Sequence, residues 1–320
     1  MDFRNIEQFA EYMLLQRGLS ETTVKAYRYD LQYYANWLGA AGKRLADVSP
    51  KDLDQYVKYM RGTLDLQPKT CKRRIAAVST YHKWMVREGV LKNDPVYFIE
   101  LPKAPSRLPV YLNEDEISRF VKILEDEAGR RPVVGRRNRA LMYLMVFGGL
   151  RISEVLAIKE TAVTLRDGYP VMVSVIGKGD KERQVPLGED AARAVLAWME
   201  TKKALRDDDD LARKFTRKNK EEINSEYLFP GRDGKPLNKF TVQKKVKTMR
   251  AEFGGKKLTP HKLRHTFATS LFRAGVDIKT TQELLGHASI ATTQIYTHVE
   301  DSQKLDAVMR LRPVSPASRT

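Results

Sequence analysis

The sequence predicts a mainly α-helical protein of two domains: an all-α domain over residues 1–100, and an α+β domain with a small antiparallel sheet over residues 111–320. Three observations predict this. Apolar residues recur at helical spacing through the first hundred positions. The stretch LPKAPSRLP then gathers Pro102, Pro105 and Pro109, which marks a linker at 101–110. Only beyond it does any segment alternate with a period of two. A chain of 320 residues is long enough to build both cores.

The elements follow in order. Phe3, Ile6, Phe9, Ala10 and Met13 share one face of a first helix, which Gly18 ends. Ser20 caps a second, whose apolar face is Val24, Tyr27, Leu31, Tyr34 and Leu38. Ser49-Pro50 opens a third, carrying Leu53, Tyr56, Val57 and Met60. The fourth runs from about Thr70 to Arg87 on Ile75, Val78, Tyr81 and Met85. Near its start, Lys72, Arg73 and Arg74 form a cluster that fits either a phosphate grip or a solvated helix face. After the linker, Asn113 and Glu116 form a capping box ahead of Ile117, Phe120, Val121 and Leu124. A helical run ends at Gly148-Gly149, and a short helix containing Arg151 follows. VMVSVI and ERQVPL read as strands joined by the turn GKGDK, and a helix spans roughly 189–205. The segment 207–226, with its acidic run and ARKFTRKNK, reads as a mobile, solubilising insertion. A mostly helical remainder closes the chain, and no internal repeat is evident.

Charge narrows the function. The net charge is +17, with 17 basic and 12 acidic side chains in residues 1–106 and 40 and 28 in the rest, so both halves are basic. That is the electrostatic footprint of a nucleic-acid binder, although ribosomes and anionic membranes would also suit it. No apolar run reaches the roughly 18–20 residues that span a bilayer. The start, MDFRNIEQFAEY, has acidic residues where a signal peptide has a basic and then an apolar region. A lone cysteine, Cys71, excludes an internal disulfide and a cysteine-cluster metal site. These readings are compatible with a cytoplasmic protein that needs no membrane.

The segment LTPHKLRHTFATSLFRAGVDIKTTQELLGHASIATTQIYTHV carries the strongest chemical signal. Thr259 is a good N-cap and Pro260 suits the first helical position. His261 and Arg264 then lie at i and i+3, on one face near a helix N-terminus that favours an anion. His287 follows a glycine at the end of the next helix, and Tyr296 comes nine residues later. Singly, each fits a buried structural role. Four converging polar residues in a basic chain point to a phosphate site.

At these residues the sequence resembles the tyrosine recombinase family, especially its Xer-type members and the simpler integrases. The family order is an arginine after a Gly-Leu pair, a lysine in a hairpin, His-x-x-Arg, Gly-His, then tyrosine. This chain has GGLRISEV with Arg151, GKGDKER with Lys178, HKLRHTFAT with His261 and Arg264, LGHASI with His287, and IYTHV with Tyr296. The match is specific over about 108–300, with a weaker helical similarity over 1–100.

The resemblance implies site-specific DNA cleavage and rejoining through a 3′-phosphotyrosyl intermediate at Tyr296. A phenol near pKa 10 is little ionised at neutral pH, so the nucleophile needs help. Arg151 and Arg264 suit a clamp on the non-bridging oxygens, since a guanidinium stays charged and donates bidentately. Lys178 suits the general acid for the departing 5′-oxygen, flanked by Gly177 and Gly179. Lys181 and Arg183 are its competitors. By resemblance, His261 assists proton transfer at the nucleophile and His287 hydrogen-bonds the phosphate. Glu154 matches an acidic position of the family and buttresses an arginine. His265 is read as structural, and His82 and His298 have no supporting constellation. The phosphotyrosyl bond conserves the energy of the broken one, so neither ATP nor any other cofactor is expected, and the arginines replace a metal.

The expected partners are double-stranded DNA with a specific recombination site, and three further copies of the chain, since four protomers exchange strands between two sites. The two domains are expected to clamp opposite sides of the duplex. A short helix over about 301–311, with Leu305, Val308 and Met309 on one side, is expected to link protomers, and accessory proteins are compatible with this scheme. Chromosome-dimer resolution and mobile-element integration or excision both fit, as does association with the nucleoid. The enzymatic rival is a type IB topoisomerase, against which the Xer-like N-terminal helices argue. The non-enzymatic rival is an architectural or excision accessory protein, which need not retain six catalytic positions.

Overall fold

The computed structural model describes residues 3–98, 111–177, 181–208, 210, 212, 224–256 and 258–286. The chain divides into two compact units, residues 1–107 and 108–320. The linker 101–110, the turn residues 178–180, most of 207–226 and the tail helix at 301–311 lie wholly outside the described residues.

The first unit is built from four helices: α1 (Phe3–Leu15), α2 (Glu21–Ala40), α3 (Pro50–Gly62) and α4 (Pro68–Arg87). Ser20 caps α2 by accepting from the Thr23 amide. Ser49 and Asp52 form a reciprocal capping box at α3, where Asp52 also pairs with Lys43. The helical faces read from the sequence meet in one core of Phe9, Leu31, Tyr34, Leu38, Leu53, Tyr56, Met60, Val78 and Tyr81. The Phe9 and Tyr81 rings meet edge to face at 5.2 Å, a favourable quadrupole arrangement. Between α2 and α4, the fully buried Asp30 takes both Nη groups of Arg73, and Arg74 Nε lies 3.6 Å away. Arg74 is itself buried beneath the Tyr33 ring. Two members of the basic cluster at the start of α4 therefore hold helices together.

The second unit opens with α5 (Glu114–Arg130), whose Asn113–Glu116 capping box forms as the sequence predicts. The helical run ending near Gly148 is two helices, because Pro132 starts α6 (Pro132–Val146) afresh. Residues 140–146 of α6 are all buried, so the second half of this helix runs through the middle of the core. The short α7 (Ile152–Ala157) has Arg151 as its N-cap rather than within it.

The antiparallel sheet has three strands in sequence order: β1 (Val163–Arg166), β2 (Tyr169–Ile176) and β3 (Glu182–Pro186). The sequence reading found β2 and β3 and missed β1. Its signal was Asp167-Gly168, whose positive φ angles of 52° and 75° make the two-residue hairpin turn that such a pair favours. Val173, Val175 and Val185 turn one face of the sheet into the core.

Helix α8 (Glu189–Asp207) follows, and Trp198 on it donates its indole N–H to the Leu228 carbonyl at 2.7 Å. The segment read as an insertion starts inside the fold, since Ala212 packs against Leu205. On its far side, the buried Lys202 holds the carbonyls of Ser225 and Tyr227 and pairs with Glu160. Three helices complete the described unit: α9 (Lys239–Thr248), α10 (Pro260–Arg273) and α11 (Ile278–Leu285). No helix among the described residues is long and apolar enough to cross a membrane.

Candidate active site

Three elements of the second unit, α7, β3 and α10, meet at one carboxylate. Glu154, third residue of α7, is only 4% exposed. Its Oε2 accepts the Arg151 backbone N–H at 2.7 Å, which satisfies an orphan donor of the helix start. Its Oε1 accepts from Arg151 Nη1 at 2.6 Å. From β3, Arg183 reaches both oxygens, Nη1 at 3.0 Å and Nη2 at 2.9 Å. From α10, Arg264 Nη1 lies 3.7 Å from Oε2. Burial works against ionisation of Glu154, but Arg183 and Arg151 outweigh it and hold the carboxyl below its usual range.

The backbone completes the arrangement. Arg264 donates to the Gly149 carbonyl at 2.7 Å and to the Leu285 carbonyl. Arg151 Nη2 donates to the Gly286 carbonyl at 3.2 Å, and Arg183 Nε to the Leu284 carbonyl at 3.3 Å. Three consecutive carbonyls at the end of α11 thus accept from three arginines, where helix carbonyls lack intrahelical partners and carry negative potential. The turn before Arg151 is equally constrained. Gly149 has φ 63°, and a Cβ there would lie 2.2 Å from the Phe267 ring. A glycine is required on both counts.

Of the residues singled out in the sequence, Arg151 and Arg264 are brought together through Glu154. Arg264 is 5% exposed, whereas the Arg151 side chain keeps 28% of its surface in solvent. His261 lies in the first turn of α10 on the exposed side, behind the Thr259 cap. His265 is half-buried one turn on, and burial, then the charges of His261 and Arg264, lowers its pKa. Lys178, His287 and Tyr296 lie outside the described residues. In the chain His287 directly follows Gly286, whose carbonyl accepts from Arg151.

Sequence reasoning weighed Arg183 only as a competitor of Lys178 for the proton-donor role and missed its structural contacts. Its guanidinium is held by Glu154 and Leu284. The signal was present: in ERQVP, alternation puts Arg183 on the same strand face as the buried Val185, where a charge needs a partner.

Chemically, the cluster offers pre-placed guanidinium donors around a carboxylate that fixes their positions, the provision a phosphodiester transition state requires. Comparison with known proteins agrees in kind. Residues 110–303 match the phage integrase family, and residues 6–89 match the phage integrase N-terminal SAM-like domain. The tyrosine recombinase XerC of Xanthomonas campestris pv. campestris (strain B100) is 35% identical over 298 residues, covering 92% of this chain and 84% of the relative. The tyrosine recombinase XerD of Listeria monocytogenes serovar 1/2a is 33% identical over 311 residues, covering 96% and 98%. Among solved structures, the XerH site-specific recombinase bound to its difH substrate, a pre-cleavage complex, superposes with a TM-score of 0.68 at 25% identity, covering 97% and 85%. With both domains matched and relatives above 30% identity along nearly its whole length, the chain belongs to the tyrosine recombinases of the phage integrase family.

Proposed function

We propose that this protein recombines DNA at a specific site, cutting and rejoining strands through a 3′-phosphotyrosyl bond to Tyr296 without metal or ATP. The observation that carries the proposal is the convergence of Arg151 and Arg264, distant in sequence, on the buried Glu154. In this reading the two guanidiniums take the non-bridging oxygens as negative charge builds there. Loss of one such donor costs on the order of 3 kcal/mol in the barrier. Lys178 protonates the departing 5′-oxygen, His261 assists at the nucleophile, and His287 hydrogen-bonds the phosphate. The strand break conserves its energy in the protein–DNA ester, so rejoining needs only the returning hydroxyl. DNA as partner is supported by the basic charge of the chain and by the DNA-bound relative. In the same reading the all-α unit, residues 1–100, and the catalytic unit, residues 111–320, both bind the duplex, and four protomers bring two sites together.

Suicide substrates, which lose the attacking strand after cleavage, test the chemistry. Wild type is expected to accumulate a covalent adduct, and Tyr296→Phe to bind the same DNA with no adduct, because only the attacking oxygen is removed. An adduct in that variant would overturn the assignment of Tyr296. Supercoil relaxation without recombination between two sites would favour a topoisomerase.

A further inference from the structure

We infer that Arg183 is a positioning residue for the strand-transfer reaction proposed above, locking the β2–β3 hairpin that carries Lys178 onto the carboxylate and helix end that hold the phosphate-binding arginines. The inference rests on that reaction, in which Arg183 itself has no chemical part. Of the three guanidiniums around Glu154, Arg183 alone comes from the hairpin. Its side chain is 14% exposed. Both of its Nη groups meet the two oxygens of Glu154, the fork-on-fork geometry that fixes orientation as well as distance. The remaining Nε donor reaches Leu284 on α11. The contact is close: a Cβ on Gly286 would lie 2.9–3.0 Å from Arg183 atoms.

The position of Arg183 along the chain gives this anchor its meaning. Arg183 pairs across the sheet with Val175, two residues before Gly177, and Gly177 N–H bonds the Lys181 carbonyl at 2.8 Å. Lys178 follows Gly177 directly in the chain, five residues before Arg183. At the other end, the carbonyls of Leu284, Leu285 and Gly286 accept from Arg183, Arg264 and Arg151 in turn. One side chain thereby ties the proton donor's hairpin to both halves of the phosphate clamp. Arg183 does not donate the proton itself, because its guanidinium donors are taken up by Glu154 and the Leu284 carbonyl. Nor can lysine replace it, since a single point charge cannot hold two carboxylate oxygens and a carbonyl at once.

The test uses the full-length chain and suicide substrates with either oxygen or sulfur at the 5′-bridging position. Sulfur leaves without a proton, so it rescues variants that lack the general acid. Lys178→Ala is expected to be rescued and Arg151→Ala not. Arg183→Ala should cleave the oxygen substrate roughly 10²-fold slower, at the low end of what a general acid contributes. The sulfur substrate should restore most of that loss. Arg183→Lys should recover activity only in part. The double variant Arg183→Ala/Lys178→Ala should be about as slow as Lys178→Ala alone, since the two act in one step. A loss that sulfur leaves unchanged would mean general destabilisation and overturn the inference, as would additive losses in the double variant. If Arg183→Ala does not fold, the same comparisons are made with Arg183→Lys. Failure of sulfur to rescue Lys178→Ala would remove the proton donor and the inference with it. The adduct of wild type and its loss in Tyr296→Phe judge the strand-transfer reading separately.

Discussion

Glu154 is a buried carboxylate that stays charged because three guanidiniums and a backbone N–H surround it. Its folded pKa is lowered, so its stabilising contribution is full at neutral pH and is lost as acid protonates it. The opposite solution appears at His82, fully buried on α4 with Nε2 3.1 Å from the Tyr34 hydroxyl. Burial lowers its pKa to about 4, with Asp94 opposing weakly, so the folded protein holds it neutral. The unfolded chain titrates near pH 6.5 and binds more protons between those values. Stability from His82 is therefore complete above about pH 6.5 and falls as the pH drops toward about 4, by on the order of 3 kcal/mol in all. Urea unfolding at pH 7 and pH 5 measures this. Wild type should lose about 2 kcal/mol more than His82→Gln between the two. Equal losses would place the acid sensitivity elsewhere.

At the scale of elements, the Gly148–Arg151 turn joins the central helix α6 to α7 and puts a carbonyl under Arg264. Gly149→Ala must accept a left-handed φ, costing roughly 1–2 kcal/mol, and must move the Phe267 ring, costing roughly 1–3 more. Chemical denaturation should show a loss in that range. Adding Phe267→Leu should return part of it, whereas simple additivity would mean that the ring had already moved aside. The sequence announced the elements whose ends are marked by specific chemistry. Ser20, Ser49, Asn113 and Thr259 each cap the helix expected of them. It was less clear where only context decides. The break at Pro132 sits inside continuous helical periodicity, and β1 is four residues long with three of them exposed. The arginine motifs were legible as types and order, but their convergence on Glu154 was not, because it depends on how α7, β3 and α10 pack.

Across the whole molecule, the net charge of +17 serves both units, and binding to DNA should weaken steeply with salt as counterions are released. Assembly is a separate matter from binding. In the proposed tetramer the chain beyond Tyr296 links protomers, with Leu305, Val308 and Met309 burying roughly 1.5–3 kcal/mol each. Truncation after Thr297 should leave binding to one half-site nearly intact while weakening cooperative binding to a full site, read from native gel shifts. Unchanged cooperativity would assign the tail to its own protomer. The arginine cluster also has a thermodynamic side. Three guanidiniums on one carboxylate leave an excess of two positive charges at close quarters. In the free protein these cations repel one another, and the fold holds them together despite it. In the proposed reaction a phosphodiester supplies an anion there, so the catalytic unit is expected to be a more stable body with DNA bound than without it.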